Sequence, residues 1–229
     1  MRIPNLLCRN VALCLAFCCA SLLSAKVVWL VGEGAEINAP VVAPQLEQML
    51  GEEVEVIPFT WLSVWANTTD PEGTRAKALA AETLFITPAA KESRGLTFLA
   101  LTTLKSLRPR GLKNAAVVAV QKPIYKMSGL CRNDRLQATV RLAIGTDLDF
   151  VALPKVWQQV YTDDTFYNGK VPKGEAAETY VAAAALAMTL KGVNYTPPAL
   201  NGIHPELAED LIRSIRKGLK LHEDVYYAA

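Results

Sequence analysis

Apolar positions along this chain follow two rhythms, short unbroken runs and spaced helical stripes, and the two alternate. Lys26-Val-Val-Trp-Leu-Val-Gly32 is continuously apolar after its lysine and closes at glycine. Such a run predicts a strand covered on both faces, as in a parallel sheet. Pro40 to Leu50 carries helical spacing at Val41, Leu46, Met49 and Leu50 and ends at Gly51. Val54 to Pro58 reads as a second short strand, stopped by proline. Thr74 to Leu107 reads as mostly helical, with breaks near Pro88 and after Gly95. Ala115 to Gln121 is the clearest strand, Asp134 to Ile144 a helix ending at Gly145, and Phe150 to Leu153 a fourth strand stopped by Pro154. Two helices close the chain: the alanine-rich Glu175–Leu190 before Gly192, and His204–Leu219 with a stripe at Leu207, Leu211, Ile212 and Ile215. Strands alternating with helices imply right-handed crossovers and a parallel sheet with helices on both faces. The expectation is a single three-layer α/β/α domain.

The first 25 residues stand outside this pattern. Arg2 and Arg9 precede an apolar stretch from Val11 to Leu23, and Ser24-Ala25 supplies small residues for cleavage. This is the layout of a secretory signal peptide. Its apolar part is shorter than the roughly 20 residues of a membrane span. The expected organisation is therefore a signal peptide at 1–25 and an α/β domain at 26–229, secreted or periplasmic, with no membrane span. A lipid-anchored alternative requires a small residue before its cysteine. Cys18 follows Phe17 and Cys19 follows Cys18, which weighs against that route without closing it.

Removing the leader changes the charge and the cysteine chemistry. It holds two of the 24 Lys and Arg residues and none of the 22 acids, so residues 26–229 balance at 22 of each sign. A balanced chain argues against nucleic acid as a main partner. Four of the five cysteines also leave, and Cys131 alone has no partner for an internal disulfide. With two histidines and one remaining cysteine, no grouping has metal-ligand spacing. Neither a metal nor a cofactor is expected. Gly32-Glu33-Gly34 follows a strand, but the third glycine of a dinucleotide fingerprint is missing and the next helix starts late.

The order of these segments resembles the SGNH/GDSL-type hydrolases, esterases and lipases with a flavodoxin-like fold. Val28-Trp-Leu-Val-Gly32-Glu33-Gly34 stands where one branch has a strand followed by G-N-S. Val117-Val-Ala-Val-Gln121 is similar to the middle V-V-L-Q strand. Asp163-Asp-Thr-Phe-Tyr-Asn168-Gly-Lys-Val171-Pro172, followed by Tyr180-Val-Ala-Ala-Ala, resembles the closing D-G-x-H-P block and its helix. The resemblance implies a serine nucleophile, a histidine base and an aspartate that orients the histidine. Here those positions hold Gly34, Val171 and Asn168, with Glu33 where an asparagine-type residue is usual. Three losses in one constellation imply a fold kept without its reaction, in a protein that binds a carbohydrate, an acylated glycan or another protein. Glu33, Gly34, Gln121, Asp164 and Asn168 are the residues expected to line the site.

A second register keeps a histidine. Asn201-Gly-Ile-His204-Pro205 repeats the D-G-I-H-P pattern 33 residues later and makes His204 an alternative base in a rearranged ester hydrolase. The plainer reading places His204 at the start of a surface helix, with Pro205 in its first turn. His222 lies near a charged tail and reads as solvated. Ser63 and Ser128 are possible replacement nucleophiles, although neither follows the first strand. Trp61 and Trp65, four apart, would share a helix face as an aromatic platform or, more commonly, as core. Lys105, Arg108, Arg110 and Lys113 read as a solvated basic face, and Cys131 as a small apolar residue. A structural envelope protein is the remaining alternative.

Overall fold

The structure is a computed structural model and describes residues 26–59, 71–89, 94–111, 113–120, 149–163, 175–200 and 202–227. Five strands and six helices appear among them: β1 (Val27–Gly32), α1 (Ala39–Leu50), β2 (Val54–Phe59), α2 (Pro71–Ala80), β3 (Thr83–Thr87), α3 (Arg94–Leu107), β4 (Ala115–Ala119), β5 (Asp149–Ala152), α4 (Leu153–Thr162), α5 (Glu175–Lys191) and α6 (Pro205–Tyr227). The strands form one parallel sheet in the order β2-β1-β3-β4-β5. That is the order of flavodoxin-like doubly wound sheets. The α/β domain with a central parallel sheet expected from the sequence is present.

Alternation along the strands divides the core. Val27, Trp29, Phe85, Ala116, Val118 and Val151 belong to one buried cluster with α1, α4, α5 and α6. Trp29 meets Phe85 edge to face at 6.1 Å and donates its indole N–H to Thr87 Oγ1 at 2.8 Å. The pair across neighbouring strands thus satisfies the polar atom of the largest core residue. The intervening residues Val28, Leu30, Leu84, Ile86, Val117 and Ala119 are equally buried and lie outside that cluster. The period of two puts them on the opposite face of the sheet.

Four sequence expectations need correction. Thr83–Thr87 is a strand at the centre of the sheet, inside a stretch read as helical. A five-residue apolar run between two helices is too short for periodicity to separate strand from helix. Pro154 does not stop a segment. It lies in the first turn of α4, which begins at Leu153, where a missing N–H costs no helical bond. Arg108 is not on a solvated face. It is 3% exposed, and its guanidinium donates to the carbonyls of Ala81 and Glu82 at 2.8 and 3.3 Å. Those carbonyls follow the end of α2, where a cation also complements the helix dipole. Burial, with the nearby charge of Arg110, holds the Arg108 pKa below its ordinary value.

The sheet edge at β2 has its own hydrogen-bond pattern. The Val54 N–H donates to Glu47 Oε1 at 2.9 Å rather than to a strand. In a parallel ladder alternate residues point the same way, so Val56 and Pro58 also face outward from β1. Contrary to the sequence expectation, Pro58 does not stop β2: the strand runs through it to Phe59, because proline at such a position removes no ladder bond.

Helix packing on the four-helix face depends on small residues and polar clamps. A Cβ on Gly218 would lie 2.7 Å from the Val156 Cα, so its absence lets the backbones of α6 and α4 touch. Asp163, at the end of α4, accepts from Gln159 (2.7 Å), Ser214 (2.8 Å) and Lys217 (3.1 Å). Partial burial raises its pKa, but the three donors and the Lys217 charge together hold it below the ordinary value. Lys191 caps the end of α1 by donating to the carbonyls of Met49 and Leu50, and the Tyr195 hydroxyl donates to Met49 O at 2.6 Å.

Candidate functional site

In sheets of this order ligands sit beyond the carboxyl ends of the strands, at the point where the order reverses. Here that point lies between β1 and β3. The chain leaves β1 in a tight turn, closed by a hydrogen bond from Ala35 N–H to Gly32 O at 3.2 Å. Gly34 has φ +70 and Glu33 has no positive φ, which fits a type II turn with glycine at its third position. Glycine is favoured there because a Cβ strains a left-handed backbone. Glu33 and Gly34 are both exposed. The two residues named from the sequence therefore sit at the β1 end of the reversal point.

Gly32 has a different requirement. A Cβ there would meet Ala89 N at 2.3 Å and Pro88 C at 2.8 Å, because the chain leaving β3 passes against the end of β1. The turn beyond β1 is thus built from two glycines with separate reasons, close approach at Gly32 and backbone sign at Gly34. The dinucleotide reading of Gly32-Glu33-Gly34 had no third glycine, and neither of these two needs a phosphate to explain it.

His204 immediately precedes α6, is exposed, and its carbonyl accepts the Ala208 N–H at 2.9 Å. It occupies the cap position, with Pro205 at the first helical residue, as the plainer sequence reading expected. The side chains of Glu33 and His204 form no hydrogen bond or ion pair with another described residue. A general base is ordinarily oriented by a second group, and no described residue orients His204. Gln121, Asp164, Asn168 and Val171 lie outside the described residues, as do Trp61, Trp65, Ser63, Ser128, Cys131 and the helix expected at 134–144.

Sequence reasoning missed two polar assemblies. One is Asp163 with Gln159, Ser214 and Lys217, in which the i, i+4 spacing of Gln159 and Asp163 was the only local signal. The other is Arg108, whose partners are 26 and 27 residues away. Both tie helices together and neither borders the reversal point. An open groove of about 340 Å³ lies at the opposite end of the strands, lined by Glu47, Gln48, Gly51, Glu52 and Glu53. Among the described residues no group of His, Cys, Asp and Glu could hold a metal ion. No helix of the described residues is long and apolar enough to cross a membrane. No family model, no curated protein and no solved structure matches the chain.

Proposed function

We propose that this chain is an exported protein with an SGNH-hydrolase-like fold that has lost the family's ester chemistry and acts by binding. The observation that carries the reading is Gly34. At the position where the resemblance puts a nucleophile there is no side chain, and the backbone has φ +70. That conformation penalises a serine as well as lacking one. Three things support the rest of the reading. The strand order is flavodoxin-like. Asn168 and Val171 offer neither a carboxylate nor a base. The first strand of the described residues, β1, begins at Val27, two residues after the Ala25 at which cleavage is expected. A carbohydrate, an acylated glycan or a protein surface is the class of partner, met at the carboxyl edge of the sheet beside Glu33 and Gly34.

The test is an acetyl- and short-acyl-ester panel on purified protein, run with a fluorophosphonate probe that labels only an activated serine. The reading expects no turnover above background and no label. General-base assistance alone typically contributes about 10²–10⁴-fold, so an intact site would be plain. Ester hydrolysis that disappears in His204→Ala would instead establish the rearranged hydrolase.

A further inference from the structure

We propose that Asn194 is an acceptor for N-linked glycosylation and carries an oligosaccharide on the loop between α5 and α6. The proposal rests on the export reading, since glycans of this kind are attached to exported chains. Asn194-Tyr195-Thr196 has the Asn-x-Thr pattern without proline in the middle, and it lies between two helices rather than inside one. Such a tripeptide takes a glycan where it stands on the surface. The pattern by itself is common. What distinguishes this copy is where the fold puts each of its three residues.

Asn194 and Thr196 are exposed, whereas Tyr195 between them is half-buried. Tyr195 is the anchor. Its N–H donates to Gly192 O at 2.9 Å, its hydroxyl donates to Met49 O at 2.6 Å, and Lys191 Nζ lies 4.9 Å from its ring centre. Gly192, at φ +94, turns the chain directly out of α5. Neither the Asn194 carboxamide nor the Thr196 hydroxyl forms a hydrogen bond with another described residue. The acceptor nitrogen and the hydroxyl two residues on are thus both offered to solvent, while the residue between them holds the segment to the fold. A glycan on Asn194 displaces none of the Tyr195 contacts. Met49 lies at the end of α1, just before β2 begins, so this loop stands at the opposite end of the strands from Glu33 and Gly34. The carboxyl edge of the sheet stays open to its partner.

The donor is a lipid-linked oligosaccharide diphosphate. The Asn194 amide nitrogen forms a bond to the anomeric carbon of the first sugar, and the bond from that carbon to the diphosphate oxygen breaks. The lipid diphosphate leaves with the electron pair, and the amide gives up one proton. Residue 194 remains an uncharged amide.

The experiment expresses the full chain in cultured animal cells and collects the secreted protein. Asn67-Thr-Thr69 is the other tripeptide of this pattern and lies outside the described residues, so the readout is glycopeptide mass spectrometry at residue 194 itself. The expected result is a glycan on that peptide, removed by peptide N-glycosidase with conversion of Asn194 to aspartate. Asn194→Gln and Thr196→Ala should each abolish it, whereas Thr196→Ser, which keeps the hydroxyl, should retain it. All three variants should keep the thermal midpoint of the deglycosylated protein, because both positions are exposed. A secreted chain with Asn194 unmodified would overturn the proposal and leave export intact. So would a glycan at residue 194 that survives Thr196→Ala. Retention of the chain inside the cell with its leader uncut would remove the export reading and this proposal with it.

Discussion

The last two helices bury themselves by opposite means. α5 has no polar stripe: Ala177 and every residue from Tyr180 to Met188 are buried. It touches α1, α4, α6 and β5. Alanine supplies seven of its 17 residues. The short side chains let neighbouring elements close around it on all sides, as a helix without a polar face requires. α6 is amphipathic. Leu207, Ala208, Leu211, Ile212 and Ile215 are buried, while Glu206, Glu209, Arg213 and Lys217 are exposed. Any side of α5 is core, whereas α6 is core along one stripe only.

The comparison breaks first at Leu186. Truncating this fully buried α5 side chain by Leu186→Ala should cost about 2–5 kcal/mol in denaturant unfolding. Glu209→Ala on the outer side of α6 should stay within about 0.5 kcal/mol. Equal effects would remove the distinction between the helices. Gly218→Val comes next, because its Cβ must displace the backbone of α4 rather than a flexible side chain. Overpacking of this kind costs about 1–3 kcal/mol, read as a fall in the urea midpoint. A neutral result would mean that α4 and α6 can separate freely.

Polar contacts should give smaller effects. Asp163→Ala removes the bonds from Gln159 and Ser214, each worth about 0.5–1.5 kcal/mol net. The exposed Lys217 pair adds little. The folded-state pKa of Asp163 is below its unfolded value. Its stabilisation is therefore complete above the ordinary carboxylate pKa and is lost as pH falls through the depressed folded value. Unfolding curves of wild type and Asp163→Ala should converge in acid, and parallel curves would contradict the clamp. The smallest expected effect at neutral pH is Tyr180→Phe, which removes one 3.3 Å bond to Pro198 O. Burial, with the neighbouring Tyr195, pushes the Tyr180 phenol up to about 12. The unfolded chain ionises near its ordinary 10, so stability present below that pH falls between about 10 and 12. Tyr180→Phe should flatten this alkaline decline.

These contrasts also show what was readable in the residues. β1 announced itself as an apolar run closed by glycine, β2, β4 and β5 as short valine- and alanine-containing runs, and α6 as a stripe. α5 was readable through alanine content, since its all-round burial leaves no period to detect. β3 was hidden because Thr83-Leu-Phe-Ile-Thr87 is short and flanked by helices, although its β-branched and aromatic residues pointed to a strand. The burial of Arg108 depends on carbonyls beyond a strand and a helix, which no local window contains. At the candidate site, the absence of a nucleophile at position 34 was legible. The reason a glycine stands there, a left-handed turn, became visible only in the backbone.

The edge at β2 has a further consequence. A strand from another molecule laid along it would find the Val54 amide already engaged by Glu47 and no amide proton at Pro58. Only Val56 would be left to offer one on that stretch. Fibre growth by stacking of sheets end to end needs an unbroken row of such donors. The carboxylate and the proline interrupt the row at both ends. Copies of this protein gathered at high concentration would thus meet a poor template along β2.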